Sequence, residues 1–104
     1  VCGFNSTSLL EALAAGKPVV VPRYAEALEA EMQPYLVDLE DAVEYAPTPE
    51  ELVALLARRA RERPPPRATL PPATVRVLDK WLFNSDGLAG RRVREAVLAE
   101  ITNR

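Results

Sequence analysis

The sequence predicts an α/β domain in which helices flank a parallel sheet and further helices follow at the C-terminal end. Three observations support this fold class. Residues 1–22 have the order strand, capped helix, glycine, strand. The β-branched run from Val19 to Val21 is typical of a strand buried on both faces, as in parallel sheets. Helical spacing of apolar residues then recurs after residue 48. We therefore expect a βαβ unit followed by helices.

The βαβ unit begins with residues 1–4, which have the pattern of the end of a short buried strand. Within it, Cys2 is expected to serve as a small buried apolar residue. Helix-capping residues occupy positions 5–8. The apolar residues at helical spacing that follow are Leu9, Leu10, Leu13 and Ala14. Gly16 is placed to end this helix, and Pro18 cannot continue it.

The middle of the chain contains weaker signals and one strong helix start. A weak helix is expected over residues 24–32, and a short strand near 42–46. A clear helix start follows, with Thr48 as the N-cap, Pro49 at the first helical position and Glu51 completing a capping box. The predicted apolar stripe of this helix is Leu52, Leu55, Leu56 and Ala60.

The C-terminal part begins with a proline-rich segment. Residues 64–72 contain five of the ten prolines and are expected to form a stiff, exposed loop. Helices are expected over residues 73–102, interrupted at Ser85-Asp86-Gly87. The first of these has Val75, Leu78 and Leu82 on its apolar face, with Trp81 beside it. The last runs over residues 88–101, with Ala89, Val93, Ala96, Val97 and Ile101 on one side.

Composition argues against several classes of function. A net charge of −2 gives no long-range attraction to nucleic acid, so we predict no nucleic-acid partner. The arginines between residues 58 and 67 are expected to cover the solvated face and end of a helix. The chain has no histidine and a single cysteine, so we predict no metal site. We also expect no bound cofactor. A single cysteine also suits the reducing cytoplasm. No apolar run approaches the roughly 20 residues that cross a bilayer.

The candidate site lies where the first strand leads through a polar turn into a helix. The free N–H groups and the dipole of a helix N-terminus favour an anion. Ser6, Thr7 and Ser8 add hydroxyl donors, so a phosphate or diphosphate would fit, with plain helix capping as the alternative. Glu11 completes a capping box if Ser8 is the N-cap. If Ser6 or Thr7 is the N-cap instead, Glu11 lies further along the helix and could accept hydrogen bonds from sugar hydroxyls.

Two segments carry a resemblance to a known family. Residues 4–13, Phe-Asn-Ser-Thr-Ser-Leu-Leu-Glu-Ala-Leu, and residues 16–20, Gly-Lys-Pro-Val-Val, resemble the C-terminal domain of GT-B-fold glycosyltransferases. The likeness is strongest to bacterial capsule, teichoic-acid and surface-polysaccharide transferases. Residues 86–93 look like the segment that opens the last helix in several of these families. The resemblance covers nearly the whole chain and implies a Rossmann-like sheet. Since the chain starts with Val1 inside a strand, we expect residues 1–104 to be a partial domain, truncated at its N-terminal side.

The resemblance implies a role for each candidate residue. Ser6, Thr7 and Ser8 would bind the phosphates of a nucleotide-diphosphate or nucleotide-monophosphate sugar, and Glu11 would bind its ribose. Arg23 is a further candidate for a phosphate contact, with an ordinary exposed loop arginine as the alternative. A missing N-terminal domain would supply the catalytic residues and bind a glycan or lipid-linked acceptor, so the chain alone should be inactive. The enzyme would lie in the cytoplasm, either free or peripherally associated with the inner face of the membrane.

Two other functions remain open. The pattern Glu-Ala-Leu-x-x-Gly-Lys-Pro-Val at residues 11–19 also resembles the related hexosamine 2-epimerases. Such a sugar-nucleotide epimerase would share the fold and hold a diphosphate at the same helix. The second alternative is a non-enzymatic α/β interaction module, whose helices dock a partner chain and whose residues Ser6 to Ser8 only cap a helix.

Overall fold

Two short parallel strands and the helices around them form the fold. The structure, a computed structural model, describes residues 1–83 and 86–103. The elements in chain order are α1 (Ser8–Ala14), β1 (Val20–Pro22), β2 (Glu44–Ala46), α2 (Pro49–Glu62), α3 (Pro72–Leu82) and α4 (Ala89–Thr102). The α/β class and a parallel sheet are confirmed, and within the described residues the sheet has two strands. The strand expected over residues 1–4 is not formed, since this segment makes only a single bridge to β1.

β1 forms backbone pairs along both of its edges. On one edge it is parallel to β2, with Val20 opposite Glu44. On the other edge Cys2 forms an isolated parallel bridge to Val20, through a 3.2 Å hydrogen bond from Gly3 N–H to the Val20 carbonyl. The prediction that Cys2 is buried is wrong, since its side chain is exposed. A residue in a single bridge at the edge of a sheet has few neighbours to cover it.

The end of α1 is set by a glycine. Gly16 has φ +73°, and its N–H donates to the Leu13 carbonyl at 3.0 Å. The next N–H, that of Lys17, donates to the Ala12 carbonyl at 2.9 Å. These two bonds form the Schellman motif, in which the residue after the helix adopts a left-handed conformation that glycine favours. The predicted role of Gly16 as the residue that ends this helix is confirmed.

The hydrophobic core lies between α1, the sheet and α3. The buried residues of this cluster are Leu9, Leu10, Ala12, Leu13, Val19, Val21, Leu39, Val77 and Leu78. The run Val19 to Val21 is buried, as its β-branched composition predicted. Ala14, expected on the buried face of α1, is exposed, and Ala12 lies in the core instead. α1 packs against α3, so the chain returns to its first helix after the proline-rich segment.

α2 begins as predicted but buries less of its apolar stripe. The Thr48 hydroxyl accepts a hydrogen bond from Glu51 N–H at 3.2 Å, and Pro49 is the first helical residue. α2 packs on both strands of the sheet. Leu52 and Leu55 are partly buried, but Leu56 and Ala60, also expected on this face, are exposed. A sheet of two short strands is too narrow to cover the whole stripe.

The segment between the strands does not form the helix expected over residues 24–32. It contains two 3-10 turns instead, Ala25–Leu28 and Gln33–Tyr35. The Gln33 amide donates to the carbonyl of Ala27 at 2.9 Å and to that of Glu29 at 3.4 Å. In an α-helix these two carbonyls would accept backbone N–H groups four residues on, so the side chain competes with the helical pattern.

α3 turns a different face to the core from the one expected. Its buried residues are Thr74, Val77 and Leu78, whereas Val75 and Leu82 are 39% and 45% exposed. Helical spacing permits either face, since both contain Leu78. The side chain of Trp81 lies at the boundary, where its indole N–H donates to the Asp38 carbonyl at 2.7 Å. α3 also begins at Pro72, the last residue of the expected loop, which proline can occupy at the first helical position.

α4 has the predicted extent but no buried residue. Its apolar side is exposed, with Val93 and Ile101 each 64% accessible. Before α4, Asp86 accepts a hydrogen bond from Leu88 N–H at 2.9 Å and pairs with Arg92, as suits the turn residue expected there. Ser85, named in the same expected break, lies outside the described residues. No helix in the described part of the chain is long and apolar enough to cross a membrane.

Candidate functional site

The polar turn before α1 is partly satisfied by its own hydroxyls. The Ser6 hydroxyl accepts a hydrogen bond from Ser8 N–H at 3.2 Å and donates to the Ser8 hydroxyl at 3.1 Å. Thr7 is the N-cap of α1, but its hydroxyl makes no capping bond. Ser8 is therefore inside the helix, and the proposed Ser8 to Glu11 capping box is not formed. Part of the capping alternative holds, because Ser6 does cap the backbone of Ser8.

Several donors of this turn remain available to a ligand. The amides of Asn5, Ser6 and Thr7 donate to no group in the described part of the chain, and neither does the Thr7 hydroxyl. All three residues are exposed. Three successive free N–H groups beside hydroxyls form a surface that can hydrogen-bond the oxygens of an anion. Since α1 has only seven residues, direct hydrogen bonds would contribute more here than the helix dipole.

Glu11 lies further along the helix and not in a capping box, which is the second of the two positions predicted for it. With Thr7 as the N-cap, Glu11 is the fourth helical residue, and its side chain is exposed. It makes no side-chain hydrogen bond or ion pair within residues 1–83 and 86–103. Its carboxylate is thus free to accept hydrogen bonds from hydroxyl groups of a ligand.

A cavity of about 340 Å³ lies at the carboxyl edge of the strands. Phe4 lines it from the segment before α1, Arg23 from the residue after β1, and Tyr45 from β2. Open α/β sheets bind ligands at this edge. The remaining wall comes from β1 and from the connection between the strands, and consists of Val21, Pro22, Ala27, Leu28, Gln33, Leu36, Val37 and Asp38. The cavity therefore combines two aromatic rings with one guanidinium group.

Arg23 and Tyr45 form the charged contact of this cavity. The guanidinium of Arg23 lies 4.0 Å from the centroid of the Tyr45 ring, a cation–π contact. Burial raises the pKa of the Tyr45 phenol, although the nearby charge of Arg23 opposes that shift. The ring therefore stays neutral under physiological conditions. Arg23 forms no ion pair in the described residues, so its charge is open to an anionic ligand.

The outer wall of the cavity is tied to the rest of the fold by polar bonds. Gln33 fixes the first 3-10 turn through its bonds to the Ala27 and Glu29 carbonyls. Asp38 is held by α3, since its carbonyl accepts from Trp81 and its carboxylate lies 3.5 Å from the Lys80 ammonium. These bonds join the wall to α3.

The structure brings together some of the predicted site residues and leaves others apart. Arg23 lines the cavity, but none of the predicted residues Ser6, Thr7, Ser8 and Glu11 does. The polar turn is nevertheless adjacent, because Ser6 follows the lining residue Phe4 by two positions. Sequence reasoning missed Tyr45 and the loop wall. The alternation of the short second strand was the one signal for Tyr45, and no motif marks the loop.

No group of acidic, cysteine or histidine side chains within residues 1–83 and 86–103 could hold a metal ion. No family model, curated protein or solved structure matches this chain.

Proposed function

We propose that this chain binds the donor substrate, a nucleotide-linked sugar, as the donor half of a GT-B-type glycosyltransferase with Rossmann-like domains. The product would be a bacterial surface polysaccharide or a similar glycan. One observation carries the proposal: the polar turn with free amides follows Phe4, which lines the same cavity as Arg23 and Tyr45. The family resemblance of residues 4–20 supports it independently of this geometry.

Each group would recognise a different part of the donor. The amides of residues 5–7, with the hydroxyls of Ser6, Thr7 and Ser8, would hydrogen-bond the phosphates. Arg23 would balance the charge of the phosphates from the other side, while the base would stack in the cavity beside Phe4 and Tyr45. Glu11 would accept hydrogen bonds from the ribose hydroxyls.

This arrangement would contribute to transfer by stabilising the leaving group. Negative charge grows on the departing nucleotide as the glycosyl bond breaks. Fixed N–H donors and a guanidinium stabilise that charge, and no proton transfer is required of them. The catalytic base and the acceptor site would be supplied by a second domain, and the enzyme would act in the cytoplasm or at the inner face of the membrane.

Nucleotide titration of the ¹⁵N-labelled chain tests the proposal. We expect UDP, GDP, CDP or CMP to shift the amides of residues 5–11 and of Val21 and Arg23 saturably. Loss of hydrogen bonds to a charged group typically costs about 1.5–3 kcal/mol. A Ser6→Ala/Thr7→Ala double variant should therefore bind at least about tenfold more weakly.

The matched control is Thr69→Ala, which removes an exposed hydroxyl in the proline-rich segment. This variant should bind as the unchanged chain does. Circular dichroism should show unchanged helix content in all variants. A well-dispersed spectrum in which no nucleotide moves residues 5–11 would contradict the proposal and favour a plain capping role for the turn.

A further inference from the structure

A second cavity, of about 290 Å³, lies at the opposite edge of the strands from the donor site proposed above. Its walls come from the end of α1, the start of β2, α2 and the segment that leads into α3. The polar residues that line it are Lys17, Asp41, Glu44, Arg59, Arg67 and Thr74. None of these has a part in the proposed donor site.

The N-terminus of α3 opens on this cavity without a cap. The N-cap residue, Pro71, has no side chain able to accept a hydrogen bond, and Pro72 has no N–H. The next two amides, those of Ala73 and Thr74, donate to no group within the described ranges. α3 has eleven residues, and both Ala73 and Thr74 line the cavity. Two free donors and the positive end of the helix dipole therefore face the same space.

Thr74 supplies an independent sign of a ligand. The residue as a whole is 5% exposed, yet its hydroxyl makes no hydrogen bond to any described residue. No side-chain oxygen or nitrogen among the described residues is both sealed from solvent and unpaired. The Thr74 hydroxyl therefore keeps contact with solvent, and the cavity is where this residue meets it. This hydroxyl can therefore hydrogen-bond a ligand that enters the cavity.

The charges around the cavity leave a positive balance. Lys17 and Arg67 form no ion pair in the described part of the chain. The acidic residues are compensated: Glu44 is paired with Arg59, and Asp41 lies 3.4 Å from a guanidinium nitrogen of Arg76. Arg67 is also held in place, because its backbone N–H donates to the Gly16 carbonyl at 3.1 Å.

We propose that this cavity binds a phosphate group, either as the free ion or on a small phosphate monoester. The donors are the amides of Ala73 and Thr74, the Thr74 hydroxyl and the side chains of Lys17 and Arg67. The phosphate caps α3 and, by joining α3 to the end of α1, fixes the proline-rich segment between them. This proposal is independent of nucleotide binding at the opposite edge.

Titration of the full ¹⁵N-labelled chain with inorganic phosphate tests the site. We expect saturable shifts of the Ala73 and Thr74 amides at millimolar phosphate. Arg67→Gln and Thr74→Val should each weaken binding at least about fivefold, as the loss of one charge-assisted or buried hydrogen bond predicts. The matched control, Arg61→Gln, changes an exposed arginine outside the cavity and should leave the affinity unchanged.

The possible results of this titration distinguish between the proposal and its alternatives. Absence of saturable shifts at Ala73 and Thr74, or equal binding by Arg67→Gln and Arg61→Gln, overturns the proposal. Arg67 is exposed, so its variant keeps the test valid even if Thr74→Val fails to fold. A Ser6→Ala/Thr7→Ala chain should retain the response, which separates this site from the donor site. Tighter binding of glycerol 3-phosphate than of inorganic phosphate would support a monoester, and equal binding would support the free ion.

Discussion

Gly16 joins two parts of the chain that are far apart in sequence. Its positive φ ends α1, and its carbonyl accepts the Arg67 N–H from the proline-rich segment. A β-carbon built at Gly16 would lie 2.7 Å from both the backbone nitrogen and the carbonyl oxygen of Arg67. A side chain is therefore excluded at this position for two separate reasons, conformation and space.

Alanine variants at three glycines test these constraints. Gly16→Ala should lower the free energy of unfolding by about 2–4 kcal/mol, because it adds a backbone clash to the strained φ. Gly87 has φ +79° with open space around it, and Gly90 lies in α4 with neither constraint. Both lie outside the core, so Gly87→Ala and Gly90→Ala should each change the free energy of unfolding by less than about 0.5 kcal/mol. Urea denaturation measures all three, and a loss at Gly16 no larger than that at Gly87 would contradict both constraints.

The structural role of a single residue could be predicted where that role depends only on its neighbours in the sequence. The roles of Gly16 and Thr48 follow from the few residues around each, and the structure confirms both. The burial of Cys2 was mispredicted because it depends on how many strands lie beside it. The Ser8 to Glu11 capping box failed through local competition, since Ser6 binds the Ser8 amide first.

Among the elements, α2 is fastened to β2 by a cluster of ion pairs. The Arg59 Nε donates to the Glu44 carboxylate at 2.8 Å, and Arg58 reaches the same carboxylate at 3.2 Å. Glu62 pairs with Arg59 from the next turn of α2. The hydrogen bond from Arg59 lowers the pKa of Glu44, against the smaller opposing effect of burial. The arginines expected on the solvated face of this helix thus include two that hold it to the sheet.

Low pH should weaken the ion pairs that join α2 to Glu44 of β2. The pKa of Glu44 in the folded chain lies below its ordinary value of 4.5, so the pair stabilises fully above pH 4.5 and loses its effect as pH falls through the folded value. Glu44→Gln should therefore lower the free energy of unfolding by about 1 kcal/mol at pH 7. The difference from the unchanged chain should disappear at low pH.

Urea denaturation across the acidic range measures this dependence. The control, Glu31→Gln, removes an exposed carboxylate that has no partner in the described residues and should change stability little at any pH. A loss in Glu44→Gln that persists unchanged at low pH would show that packing, and not charge, is responsible.

Elements with strong boundary signals were predicted, and elements that depend on distant partners were not. α2 begins at the predicted residue, and each end of α4 lies within one residue of its expected position, because capping and spacing are encoded nearby. The segment over residues 24–32 was predicted as a helix, whereas the structure has 3-10 turns there, and the Gln33 side chain bonds to the Ala27 carbonyl. Ala27 and Leu28 of this segment line the candidate cavity, so that part of its wall could not be predicted.

The whole molecule is extended. The Cα radius of gyration is 17.3 Å, whereas a compact chain of this length has about 13 Å. The principal extents are 61 × 36 × 18 Å, and α4 has no buried residue. The core formed by α1, the sheet and α3 contains no residue of α4.

Removal of α4 should leave this core intact. A chain ending at Phe83 should unfold cooperatively, with a free energy within about 0.5 kcal/mol of the full chain. Small-angle scattering should give it a radius of gyration near 12 Å, the value for a compact chain of that size. Urea denaturation and scattering on both chains test the expectation. Loss of cooperative unfolding after truncation would show that α4 supports the core.

For the molecule as a whole, the sequence predicted the fold class but not the number of strands in the sheet. Local patterns predicted parallel strands and flanking helices, and β1 and β2 confirm the pairing. The number of strands depends on contacts between distant segments, which composition does not encode. For the same reason the cavities at the two edges of the sheet were not predicted, although Arg23 and the adjacent polar turn were.

Cys2 and Trp81 form a natural pair of sites for fluorescence resonance energy transfer. Cys2 is the chain's single cysteine and is exposed beside β1, and Trp81 is its single tryptophan, at the end of α3. A thiol-reactive dye on Cys2 would accept excitation energy from the Trp81 indole without any engineered mutation. Because that indole is bonded to Asp38 in the cavity wall, the efficiency of transfer would report ligand-induced movement between the wall and the first strand segment.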